Sequence, residues 1–459
     1  MSQLALTGGT VVRSLDPPVV EVADVLIVDG RVATSETPSQ EAVTRHDCTG
    51  CLIVPGNVCA HTHLYSTLSR GMPYRLEPPR TFVEILRRVW WRLDQALDPD
   101  LVRASALVGG MEALLAGTTT VVDHHASPRS VDGSLDIIAD ALAELGLRSV
   151  LCYETSDRDG PGVARAGLAE NARFGASVGV GCRSLARALV GAHASFTLSP
   201  ETLEACAALA VESGTGLHIH VAENAADERD AMARFGMPVV ERLVAAGALW
   251  PRTLLAHGVH LGRHETELVR ASGATLVHNP RSNLNNGVGR APLDALGARV
   301  ALGTDGIGAD MFEESRTGYF LRRAEAVRTT PEWALQRLAR GAGVAAAAFG
   351  EPLLGRIEPG APADVMVLDA ALPTPVDAAT LGAHWIFGLS SAAVRDVIVA
   401  GRLVVEDRQP VGVDPDEVAA LGREAAGRLW QRLELIGEHP FTPGPPVLEA
   451  AGRGSSSNG

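Results

Sequence analysis

The sequence predicts an α/β protein: a TIM-like (β/α)8 barrel carrying a small composite β-sandwich made from the N- and C-terminal segments. Three observations predict it. Eight short apolar runs recur along the 459 residues, most end in polar or metal-capable side chains, and Ala-, Leu-, Glu- and Arg-rich segments of helical spacing separate several of them. Strand then helix, eight times over, is the pattern of a closed parallel barrel, whose active site lies at the carboxyl ends of its strands.

The first run leads into Val54-Pro55-Gly56-Asn57-Val58-Cys59-Ala60-His61-Thr62-His63. The others are residues 118–125, 148–154, 189–195, 215–223, 253–261, 274–280 and 299–306, with helical stretches such as 135–145 and 200–212 between them. Residues 3–50 and 355–408 instead alternate apolar and polar with turn signals, which reads as strands. Either half alone would expose edges and an apolar face, so the two are expected to pack together. The expected organisation is a composite sandwich from 1–55 and 355–410, a (β/α)8 barrel over 56–354, and a C-terminal piece, 411–459. That piece holds a helix over 415–435 and a Pro-, Gly- and Ser-rich tail, expected to be partly mobile from about Glu438.

Composition narrows the partners. A formal net charge of −14 provides no basic footprint for nucleic acid or an anionic membrane, and favours small uncharged or cationic ligands. No apolar span of about 18 residues and no leader-like start are present, so a cytoplasmic protein is expected. The six cysteines, Cys48, Cys51, Cys59, Cys152, Cys182 and Cys206, are sparse and read as reduced and buried. Cys48-x-x-Cys51 has no second pair and receives no function. All 40 basic residues are arginine, so no Schiff-base, P-loop or carbamylated metal-bridging lysine exists.

The chemistry lies at the strand ends. His61 and His63, two apart on a strand, point to one side and can share a metal ion. The fifth run, His218-Ile219-His220-Val221-Ala222-Glu223, adds a third imidazole and a carboxylate; the sixth adds His257 and the eighth Asp305. His218 and His220 share a face, and spacing does not choose between them. Three imidazoles and a carboxylate with an open position suit one catalytic divalent transition metal, Zn2+ first and Fe2+ second. Such an ion generates hydroxide near neutral pH. Asp305 is placed to take a proton, Glu223 to carry one to the leaving side, and His257 to polarise the bond under attack. Each residue has a bland structural reading alone; their joint occurrence at one barrel end overturns it.

The motifs PGNVCAHTHLYSTLSRGM, GTTTVVDHHASP, HIHVAE, LLAHGVHL, HNPRSNLNNGVGRAP and ALGTDG resemble those of the amidohydrolase superfamily, in the branch of chlorohydrolases and cyclic-amidine deaminases. TFVEILRRVWWRLDQALD together with DHHASP draws the chain toward the SsnA-type aminohydrolases. The resemblance runs from Leu4 to about residue 435. It implies His61, His63, His220 and Asp305 as ligands of a single metal, Glu223 and His257 as proton shuttle and polariser, and His193 as a substrate contact. It also implies a homo-oligomer, commonly a dimer. The lysine that bridges two metals in binuclear relatives is absent from the fourth strand end, which is Val190 to Ser195. Trp90 and Trp91 lie in a long connection after the first strand, and Trp90 is a candidate for stacking on a flat substrate; a helix anchor is the alternative. The expected activity is hydrolytic deamination of a cyclic amidine or guanidine N-heterocycle. A different leaving group, halide or alkylamine, or a ring C–N bond is the alternative, and an inactive scaffold a third.

Overall fold

The computed structural model describes residues 3–34, 43–178 and 183–444. Cys182 and the tail beyond Gly444 lie outside the described residues. Eight parallel strands form the barrel: β1 (Asn57–Thr62), β2 (Thr118–His125), β3 (Arg148–Tyr153), β4 (Ala186–Ala188 and Val190–Ala194), β5 (Leu217–Val221), β6 (Leu254–His257), β7 (Thr275–His278) and β8 (Val300–Leu302). They pair in chain order as two sheets. β4 belongs to both, since its first part pairs with β3 and its second with β5. At the other seam the amides of Thr304 and Asp305 bond the His61 carbonyl at 2.8 and 3.1 Å, and the His63 amide bonds the Asp305 carbonyl at 3.3 Å. β8 thereby meets β1. Gly303 permits the approach, because a Cβ there would sit 2.8 Å from the His61 backbone nitrogen.

The helices start where local chemistry satisfies their free amides. Asp98, Ser199 and Asp414 each accept a backbone N–H of the following first turn, and each precedes a proline, opening helices Pro99–Leu115, Pro200–Glu212 and Pro415–Glu434. Most strand residues are buried, as befits strands packed on both faces.

Strands from both ends of the chain share one seven-stranded sheet. Leu52–Pro55 lies between Thr10–Leu15 and Val365–Leu368, and Val394–Val399 follows on the far side. A second sheet of four strands packs on it through Leu6, Ile27, Ile53, Val365 and Ile398. Cys48 and Cys51 are buried free thiols beside this core, and burial pushes Cys48 up to about 11. The described end of the tail differs from the mobile segment expected: Arg87 donates to the His439 carbonyl at 2.9 Å, Arg88 pairs with Glu438 at 3.0 Å, and the Gly444 amide bonds Asp230. Phe441 packs on Trp91 with ring centroids 5.6 Å apart.

Candidate metal centre and active site

His61, His63, His220 and Asp305 converge at the mouth, with one potential ligand atom from each lying within 4.8 Å of every other. Their orientation follows from the nitrogens that face away. His63 Nδ1 lies 2.6 Å from the His124 carbonyl and His220 Nδ1 2.9 Å from the His193 carbonyl. A carbonyl only accepts, so both Nδ1 atoms carry protons and both Nε2 atoms carry lone pairs in the neutral rings. Those two Nε2 atoms sit 3.2 Å apart. Two ring nitrogens so close need a cation between them, which a proton on His63 facing Asp305 or a bound metal ion supplies. Asp305 Oδ1 stands 3.0 Å from His63 Nε2 and 3.6 Å from His61 Nε2, and His61 Nε2 is buried with no hydrogen-bond partner. The donor set fits a divalent metal.

The electrostatics agree. Burial pushes His63 down, but the Asp305 carboxylate outweighs it and lifts the ring to about 9. Burial drives His61 down to about 3 and His220 well below its usual range. Burial would raise Asp305, yet the His61 and His63 imidazoles hold it well below the usual carboxylate range.

His218, the competitor of His220, faces the same interior; its Nε2 lies 3.0 Å from His61 Nδ1, so it orients a ring of the cluster. Glu223 Oε2 is 3.6 Å from His257 Nε2, and Asn286 donates to Glu223 Oε1 at 3.2 Å. Burial raises the Glu223 carboxyl above its usual range. His257 Nε2 is buried and unpartnered, while its Nδ1 lies 2.9 Å from Asn283 Oδ1. Ala222, His257 and Asp305 all have positive φ, at 46°, 74° and 53°. Such strain in non-glycine residues gathers where a site must aim its side chains.

The pocket above the cluster encloses about 630 Å3 of empty space, its opening included, and is lined by Tyr65, Trp90, Trp91, Glu154, His193 and Phe196 among others. His193 is present as expected, its Nδ1 2.6 Å from Thr197 Oγ1. Trp90 lines the pocket beside Gly306, and Trp91 lines it elsewhere in the wall. Missed from the sequence was a buried ionic network in which Arg158 holds Asp94 and Glu154 at 2.6 Å each. Glu154 also meets His124 Nδ1 at 3.1 Å. Only the three-residue spacing of Trp91 and Asp94 hinted at a shared helix face.

Fold and site together define a (β/α)8 barrel with a candidate divalent-metal centre at its mouth. The amidohydrolase family model matches residues 52–404, and the chain belongs to that family. It is 32% identical over 398 residues to the 5-methylthioadenosine/S-adenosylhomocysteine deaminase of Pelotomaculum thermopropionicum, covering 84% of this chain and 88% of that one. It is 31% identical over 369 residues to the 8-oxoguanine deaminase of Pseudomonas aeruginosa, covering 74% and 80%. The crystal structure of an adenosine deaminase from Xanthomonas campestris with bound zinc superposes with a TM-score of 0.82 at 25% identity, over 94% of this chain and 99% of that chain. Among the described residues no helix is long and apolar enough to cross a membrane.

Proposed function

We propose that the protein is a mononuclear aminohydrolase that removes the amine of a cyclic amidine or guanidine in a purine-like heterocycle, releasing ammonia. The observation that carries this is the pair of facing Nε2 lone pairs beside Asp305, with Glu223 and His257 at its edge. His61, His63, His220 and Asp305 would hold the ion, Zn2+ before Fe2+ given the imidazole-rich set and the zinc in a similar structure. When bound, the ion supplies the Lewis acidity that makes water a nucleophile near neutral pH.

The chain's own groups move the protons. Asp305 accepts a hydrogen bond from Ser282 at Oδ2, which leaves Oδ1 toward the cluster to receive the proton of the attacking water. Glu223, whose carboxyl burial raises above its usual range, is placed to protonate the ring nitrogen and to recover that proton's equivalent from the new hydroxyl, while the proton Asp305 takes from the water goes to the departing amine. His257 is held by Asn283 Oδ1 at 2.9 Å from its Nδ1, and its buried Nε2, 3.6 Å from Glu223, is placed to polarise the bond under attack.

A single ion is supported by the engagement of the neighbouring groups. His63, His124, Glu154 and His220 also cluster, but Glu154 is taken by Arg158 and His124, and both ring nitrogens of His124 are in contact. A cytoplasmic homodimer completes the reading, the dimer resting on the resemblance. An ammonia-coupled screen of aminated purines, pterins and pyrimidines with the zinc-loaded enzyme tests it. Release of halide or alkylamine without ammonia from any ring would favour the other leaving-group chemistry.

A further inference from the structure

Two buried polar atoms in the pocket wall are used by neither the metal cluster nor the proton groups. Asp94 gives Oδ2 to Arg158 at 2.6 Å, while its Oδ1 is buried without a partner. Trp91 is 1% exposed, and its indole Nε1–H also lacks a partner. The two residues lie three apart on helix Trp91–Ala96, hence on one face, and both line the pocket. A buried donor and a buried acceptor left open side by side are costly unless a ligand completes them.

Neither atom is free to turn away. The Arg158 guanidinium lies over the Trp91 ring, 5.7 Å from its centroid, and grips Asp94 and Glu154 together. His439 and Phe441 pack on the same indole at 5.3 and 5.6 Å. Burial outweighs the Arg158 guanidinium and holds the Asp94 carboxyl well above its usual range, and a ligand N–H arriving at Oδ1 favours the ionised form. The charge of the wall adds a second constraint. Asp94, Glu154, Glu223, Asp227 and Asp305 line the pocket with no arginine among the lining residues. Away from the imidazoles of the cluster, a substrate bearing phosphate or carboxylate would meet no free cationic side chain there.

We propose that Trp91 Nε1–H and Asp94 Oδ1 together read an amide-type edge, a ring C=O beside a ring N–H, on the part of the substrate away from the metal. The substrate class is then an oxo-substituted amino-heterocycle without phosphate or carboxylate. This rests on the aminohydrolase reading for its chemistry, but the subsite is testable by binding alone.

Guanine and 2-aminopurine serve as probes, since both carry the ring amine and only guanine adds the C=O and N–H. Equilibrium binding and ammonia release are measured with the zinc-loaded wild type, Trp91→Phe and Asp94→Asn. Guanine is expected to bind the wild type more tightly, and each substitution to weaken guanine by at least about 10-fold while changing 2-aminopurine less than about 2-fold. Equal losses for the two rings, no loss for guanine, or binding of neither ring by the wild type would overturn the proposal. Trp91→Phe keeps the ring and its packing, and decides the matter if Asp94→Asn does not fold. A guanine-selective loss of binding without ammonia from either ring leaves the subsite standing and removes deamination. Ammonia release with equal losses does the reverse.

Discussion

Glu223 follows Ala222, a non-glycine residue held at φ 46°, and its carboxylate is fixed between Asn286 and His257. Glutamine there keeps the shape and the Asn286 contact but carries no transferable proton. Glu223→Gln is therefore expected to retain its metal by elemental analysis while turnover falls by about 10²- to 10⁴-fold. Full turnover with metal retained would refute the shuttle. The residues of the cluster were legible in the sequence because strand ends fix where side chains point: two apart on β1 means one side, and the ends of β5, β6 and β8 open on the same mouth. Spacing alone could not separate His218 from His220, since both face inward; what distinguishes them is depth along β5, with His218 supporting His61 and His220 reaching the mouth. Asp94 and Arg158 were not legible, because a buried ion pair spanning 64 positions leaves no local pattern.

Among the elements, the turn after β1 is tied to β2 by one buried group. The Leu64 amide donates to Asp123 Oδ1 at 2.7 Å, and Oδ2 has no partner. Burial raises this carboxyl to about 7 from an ordinary value near 3.8. The folded chain thus keeps a proton that the unfolded chain releases, so the group's contribution to stability is full below about pH 4 and is lost as pH rises to about 7. Asparagine keeps the acceptor and removes the ionisation. The melting temperature of Asp123→Asn relative to wild type is expected to rise between pH 5 and pH 8, and a flat difference would contradict the argument. The segment after helix Pro415–Glu434 acts on another element. Arg92 donates to the Ile436 and Leu433 carbonyls at 2.8 and 2.6 Å, and His439 meets Asp159 at 3.1 Å, so this segment clamps the helix that carries Trp91. A chain ending at Leu435 should keep its metal yet bind substrate about tenfold more weakly, read as KM. Composition suggested a mobile tail because Pro, Gly and Ser carry no packing signal of their own; the contacts of Glu438 and His439 depend on arginines some 350 residues away.

For the whole molecule, the proposed metal would belong to the folded state only, because its candidate ligands come from the ends of β1, β5 and β8. One equivalent of transition metal per chain is expected, and two would contradict the single-ion reading. Chelation should abolish turnover and lower the melting temperature, with zinc restoring both; saturation at 100 times the dissociation constant corresponds to about 2.7 kcal/mol of added stability. The closed barrel was legible as a count of strand and helix segments, whereas the contacts that join its first and last strands were not, since they link residues about 240 apart. That closure bears on synthesis. The His61 carbonyl receives the Thr304 and Asp305 amides, and the side chains of His61 and Asp305 face each other across the same joint. A chain emerging from the ribosome holds His61 and His63 early but lacks their carboxylate partner until the eighth strand is made. Metal capture in the finished geometry is thereby a late event, and a bound ion certifies that the first and last strands have met.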